Sequence, residues 1–339
     1  MKNNQLMSLL LLLIMLISCN KKNQTEIYQT KRDNIVDVHD RIKEIDFGND
    51  IFMFNNTVPV IAKEYLVMND YKSLDKYIHV FNKETFKYVV SFATRGEGPG
   101  EIVRPGYVIY DKTNNKLDMA DEGKQNILSY DLDSAILYAE YMPNIKFKMN
   151  KDLLPSSYTY INDSICIGRC VIPIGNSDFK PTMSKFNMKS GTVELFPYEH
   201  PKVKKKRTLS DVSPEHGVYV EVHGYHDLMT ICSLDGELKY NIYGPEWVDE
   251  IIQTEFYGNV LFADNLIIAQ YSGEKPFTED HKFNFPTTLL VFDINGNYIK
   301  TLETGYNISR MCFDEENNRL ILSMDEEMQF GYLDLKGLI

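Results

Sequence analysis

From about residue 50 to the end of the chain, apolar residues fall in runs of four to eight, alternating with polar ones and separated by Asn, Asp, Gly and Lys. Alternation with a period of two marks half-buried β-strands, and helical spacing is nearly absent. One unit recurs within the pattern: a strand ending near Asn or Asp, a short polar turn, then a second strand. The first three copies pair residues 77–82 with 86–92, 127–131 with 135–141, and 183–187 with a strand through Phe196 after a turn at Gly191. The next two pair residues 228–234 with 237–242, and 289–293 with 297–302. The sixth covers 328–334 before a turn at Gly337.

Asp235-Gly236 and Asn295-Gly296 suit two-residue hairpin turns, in which both central positions need positive φ. The marker residues Asn82, Asp131, Asn187, Asp235, Asp293 and Asp334 recur about every 50 residues. A period of that size built from four short strands is the signature of a propeller blade. Six copies predict an all-β, six-bladed β-propeller over residues 34–339, with a seven-bladed ring or a pair of β-sandwiches as the alternatives. The sixth copy has no last strand, since only Leu338 and Ile339 follow Gly337. An open sheet edge invites aggregation. Residues 35–38 or 42–47 are therefore expected to supply the missing strand and close the ring.

The N-terminus follows a different pattern. Lys2 precedes an apolar run over residues 6–17, broken only by Ser8, which ends in Leu16-Ile17-Ser18-Cys19. The run is short for a membrane span and fits a signal-peptide core. Its ending resembles the bacterial lipobox, which implies a signal peptide over residues 1–18 and lipid on Cys19. Residues 19–33 then read as a flexible tether reaching about 20 Å. The expected product is lipid-anchored in the cell envelope. Asn20 is not a plain retention signal, which favours the outer membrane, on its periplasmic face or at the cell surface.

Composition narrows the partners. A formal charge of −12 argues against nucleic acid, as does export. Cys166, Cys170, Cys232 and Cys312 all lie in alternating runs and read as buried free thiols, with pairing across strands as the alternative. Cys166 and Cys170 share one strand at a separation of about 13 Å, too far for a disulfide with each other.

Arg95-Gly96-Glu97-Gly98-Pro99-Gly100-Glu101 follows the first hairpin directly. With the lipobox and the repeat, it resembles the TolB-like six-bladed propeller lipoproteins of Bacteroidetes. These often carry Gly-x-Gly-Pro-Gly-Glu followed by an aromatic, whose place Ile102 takes here. The resemblance implies a fold and a location far more than an activity.

The glycine-rich loop is not a phosphate cradle, because a strand follows it where a helix N-terminus would be needed. It reads as a turn from one blade's outer strand to the next blade's inner strand, and brings Arg95, Glu97 and Arg104 beside the channel. His223 and His226 read as exposed turn histidines with no third ligand at zinc spacing. The basic stretch over residues 202–207 reads as a solvated loop, with contact to anionic headgroups or an acidic glycan as the alternative. Trp247 and Tyr306 complete an expected aromatic and cationic binding face.

No nucleophile elbow, zinc-protease helix or paired-carboxylate site is present, so no catalytic or metal-binding residue is assigned. The expected function is that of a binding or scaffold module for an envelope protein, peptide or glycan, held to the membrane by its lipid. The alternative is a calcium-dependent, lactonase-like hydrolase, although no motif supports calcium. Three or more carboxylate or amide side chains converging on the channel would mark that alternative. A subunit of a larger envelope assembly is a third reading.

Overall fold

The computed structural model describes residues 25–48, 51–150, 153–175 and 178–339; the expected signal peptide, Cys19 and residues 20–24 lie outside the described residues. The strands form six sheets, each an antiparallel meander of four strands taken in chain order from the inside outward, except that the outermost strand of the sixth comes from the N-terminus. The inner strands are Val58–Ala62, Pro105–Asp111, Leu154–Tyr160, Thr208–Ser213, Glu255–Ala263 and Ile308–Asp314. Each packs against the inner strands before and after it, the sixth against the first, so the sheets are the blades of a closed ring.

The core is segmented in the same way. Every buried apolar cluster joins two neighbouring blades, as where Val67 and Val80 of blade one meet Val108 and Met119 of blade two. Leu66 and Phe81 of blade one likewise meet Ile321 and Phe330 of blade six. Alternation explains this. One face of each sheet packs on the preceding blade and the other on the following blade, so the middle strands are buried on both sides.

The recurring Asn and Asp positions end the third strand of each blade, and their side chains hold the turn. Asn82 Oδ1 accepts from the backbone N–H of Thr85, Asn187 Oδ1 from that of Ser190, and Asp293 Oδ1 from that of Asn295. In blade four this position is Ser233 rather than Asp235, with Ser233 Oγ accepting from Glu237 N–H at 3.2 Å. The expected two-residue turns are replaced by three-residue ones. Only Gly236 and Gly296 take positive φ, at 83° and 80°, and the register shifts by one residue just before each turn. A type I turn closed by a left-handed glycine achieves the same reversal. Side chains are excluded at Gly236 in any case, because a Cβ would lie 2.6 Å from the Phe196 ring.

Two expectations are corrected. The outer strand of blade two is Asn144–Lys148, and residues 135–141, expected as that strand, contribute instead to a short helix, Leu132–Leu137. Asp131 caps the helix by accepting from Ser134 N–H at 3.0 Å, and Leu132 and Ala135 are buried against blade one. Tertiary burial of those two side chains overrides the alternating pattern. The expected tether also ends early. Glu26–Tyr28 adds a parallel fifth strand to the outside of blade four, and Ile35–Asp37 does the same on blade five. Ile42–Glu44 pairs antiparallel with Phe330–Asp334 and completes blade six, so the second of the two segments expected to close the ring does so.

The four cysteines beyond Cys19 are free, and Cys166, Cys170 and Cys232 are fully buried. Burial raises the Cys170 thiol to about 11 and the Cys232 thiol to about 12, so both stay protonated and unreactive at neutral pH.

Candidate functional site

In an antiparallel four-stranded meander, the outer-to-inner connection and the turn between second and third strands open at the same end. The loops carrying Arg95, Glu97, Arg104, His223, His226, Trp247 and Tyr306 therefore share one face of the ring. Arg95 and Glu97 are exposed there, and exposed Arg104 pairs with Glu122 at 2.9 Å. The glycine loop between them is closed on itself. Glu101 Oε2 accepts from Gly98 N–H at 2.7 Å, and Lys124 Nζ donates to the carbonyls of Gly98 and Glu101. Its amide and carbonyls are taken up internally, as expected of a structural turn.

The other four residues face inward more than expected. His223 and His226 are buried, not exposed. Trp247 packs its ring on His200, His226 and Tyr243, and Tyr306 stacks on His39 with ring centres 4.4 Å apart. The basic stretch is largely neutralised: Lys202 pairs with Asp249, Lys206 with Glu221 and Arg207 with Glu255.

Burial lowers the affinity of four histidines for a proton. His79 falls to about 4, and His200, His223 and His226 also fall below the ordinary value. A depressed folded pKa means that the unfolded chain takes up protons first as pH drops below about 6.5. Stability held at neutral pH should therefore be lost progressively below 6.5. From the values 6.5 and about 4, His79 alone contributes a loss of about 2 kcal/mol by pH 5. Melting temperatures measured from pH 7.5 to 5.0 test this; an unchanged value would mean these rings are not held neutral by the fold.

Arg95, Glu97, Arg104, His223, His226, Trp247 and Tyr306 do not line the cavities found on this face, whereas Arg207 of the basic stretch lines two of them. The mouth of the channel is a cavity of about 310 Å³ lined by Tyr107, Arg169, Arg207, Glu255, Asn259 and Arg310 among others. Arg169 belongs to the second strand of blade three and is only 9% exposed. Its guanidinium donates to Ser156 Oγ at 2.9 Å, to Tyr107 Oη at 2.9 Å and to the Thr208 carbonyl. Arg310 projects from the inner strand of blade six, and its Nη1 donates to the Ser309 carbonyl at 2.7 Å. Beside the mouth, and sharing Arg207 and Glu255 with it, lies a mostly apolar groove of about 380 Å³ walled by Tyr225, Ile251, Ile252, Pro276 and Phe277. Ile251 and Phe277 are 47% and 57% exposed.

The opposite end of the channel differs in character. A cavity of about 850 Å³ carries Asp211, Asp264, Asp314, Glu315 and Glu316 together with Lys63, Lys83 and Lys112, and Asn259 lines both ends. Several of these charges pair internally, Lys83 with Glu316 at 2.6 Å and Lys112 with Glu315 at 3.5 Å. Among the described residues, no three His, Cys, Asp or Glu side chains are grouped so that they could hold a metal ion. No helix among the described residues is long and apolar enough to cross a membrane.

Sequence reasoning missed Arg169 and Arg310. The available signal was a lone arginine inside an otherwise apolar strand, as in Ile165–Ile174. Which such position reaches the channel depends on how the blades close.

Comparison with known proteins bears on the fold. No curated protein matches the chain. A member of the DUF4221 family from Bacteroides vulgatus is similar in structure, with a TM-score of 0.60 at 11% identity, covering 86% of this chain and 96% of that one. A Bacteroides fragilis protein described as a candidate exported protein gives a TM-score of 0.56 at 11% identity, over 89% of this chain and 88% of that one. At such identities the likeness is one of fold alone. Within the sequence itself, residues 17–161 match the family described as DUF5128: 6-bladed beta-propeller.

Proposed function

We propose that the protein is a lipid-anchored binding module of the cell envelope, presenting the channel mouth and the adjoining groove to a protein, peptide or glycan. The observation that carries this reading is the groove. Ile251, Ile252 and Phe277 leave apolar surface open to solvent beside Arg207, on a face built of connecting loops that the blade scaffold does not depend on. Export is supported by the N-terminal pattern and accords with the description of the Bacteroides fragilis relative. The calcium-dependent alternative would use the opposite end of the channel, where Asp211, Asp264, Asp314, Glu315 and Glu316 line one cavity, but among the described residues no three such side chains are grouped so that they could hold a metal ion.

Anchoring through Cys19 then implies a short leash. The described chain starts at Thr25, whose carbonyl accepts from Asn241 N–H at 2.7 Å on the outer edge of blade four. Residues 19–24 span at most about 20 Å when fully extended. The lipid would thus sit close to the rim of that blade.

Crosslinking in the native envelope tests both parts. Cys19→Ala should leave the product unlipidated and out of the membrane fraction while the propeller still folds. The double variant Ile251→Glu, Phe277→Glu should lose partner crosslinks with its melting temperature unchanged. If crosslinks persist there and vanish with substitutions around the opposite mouth, the binding face is the other one.

A further inference from the structure

Charge at the channel mouth is unbalanced. Of the six polar and charged residues described there, Arg207 and Glu255 neutralise each other at 3.0 Å. Arg169 and Arg310 have no carboxylate partner among the described residues, so three arginines face one glutamate and the lining carries a net charge of +2. Arg169 is the telling case. Its three hydrogen bonds go to a serine hydroxyl, a tyrosine hydroxyl and a backbone carbonyl, all neutral, and it is 9% exposed. A guanidinium cannot shed its proton, and burying one without a counter-charge carries a large desolvation penalty. Two of its five N–H donors are left over after those bonds. The chain as a whole is acidic, at −12, so a positive cavity on its axis is a local exception that attracts and concentrates anions.

We propose that this mouth is an anion-binding site for the carboxylate of an apolar ligand, in particular the C-terminal carboxylate of an extended apolar peptide. Resting on the binding role above, this names the chemistry of the ligand. The planar forks of Arg169 and Arg310 suit a carboxylate, which accepts two parallel N–H bonds. A cavity of about 310 Å³ holds roughly ten waters, room for a terminal residue but not for a folded domain. The choice of an apolar body over a sugar acid comes from the adjoining groove. Ile251, Ile252, Pro276 and Phe277 offer apolar contact within reach of Arg207, where the side chain preceding the carboxylate would lie.

The test is calorimetric titration of the mature protein with the tetrapeptide acetyl-Ala-Ala-Leu-Phe as its free acid. The same peptide amidated, glucuronate and inorganic phosphate are the comparisons. The free acid should bind at least tenfold more tightly than the amide, and raised salt should weaken it. Arg310→Ala is the variant of choice, because that side chain bonds only to the neighbouring carbonyl and its loss strands no buried partner. It should weaken the free acid at least tenfold with an unchanged melting temperature. Equal binding of acid and amide, or an unaltered affinity in Arg310→Ala, overturns the assignment. Preference for glucuronate overturns it in favour of an acidic glycan, and binding of phosphate alone reduces the site to an adventitious ion only. If the peptides fail while crosslinks still depend on Ile251 and Phe277, the ligand chemistry is wrong and the binding face stands.

Discussion

Deleting residues 34–48 is expected to leave no soluble, folded protein. This segment supplies the fourth strand of blade six through the pairing of Ile42–Glu44 with Phe330–Asp334. Val38, Ile42 and Ile45 are buried, and Phe47 packs on Phe81, Phe86 and Phe330. Burying four such side chains contributes roughly 6–12 kcal/mol, comparable to the whole stability of an ordinary domain at about 5–15 kcal/mol. The deletion also exposes the edge of Phe330–Asp334 and opens the core between blades six and one, so aggregation compounds the loss. Expression, solubility and melting of the truncated chain decide the matter. A truncated protein that melts like the parent would show that the ring closes without this strand.

Arg32→Ala should lower the melting temperature by about 5–8 °C, corresponding to roughly 3–5 kcal/mol for a broken buried ion pair. Arg32 lies between the two added N-terminal strands and reaches into the seam between blades four and five. Its Nη1 stands 3.0 Å from Asp227 Oδ1, with side chains 7% and 0% exposed. Nη2 donates to Tyr257 Oη at 2.8 Å, and the guanidinium lies 5.0 Å from the centre of the Tyr271 ring. Removing it strands a fully buried carboxylate, whose remaining donors are Tyr257 Oη, Tyr271 Oη and Glu246 N–H. The added change Asp227→Asn should restore part of the loss, since the asparagine carries no charge to strand. A shift below 2 °C in the single variant would mean the N-terminal segment is only loosely held on blades four and five.

Much of the fold was legible because its signals are local. A turn residue such as Asn82 or Asp293 acts within three or four positions of itself, and alternation records which side chains of one strand are buried. Counting such units gave six blades, and the unit left incomplete at Gly337 pointed to a strand from the N-terminus. Local signals failed where burial came from another blade. Residues 135–141 alternate as a strand would, but Leu132 and Ala135 meet blade one and the chain turns into a helix there.

The candidate site was the least legible part, for the same reason. Arg169 and Arg310 lie well apart in sequence, on a second strand and an inner strand, and only ring closure brings both to one mouth. His223 and His226 looked exposed from their turn sequence, but the packing of Trp247 and the neighbouring strands buries them. The sequence by itself determined the strands, their turns and the number of blades, because these depend on contacts between near neighbours along the chain. The tertiary structure alone decided which charges face the channel, which aromatic rings are used internally and where residues 25–44 dock, because each depends on surfaces that exist only once six blades have closed into a ring.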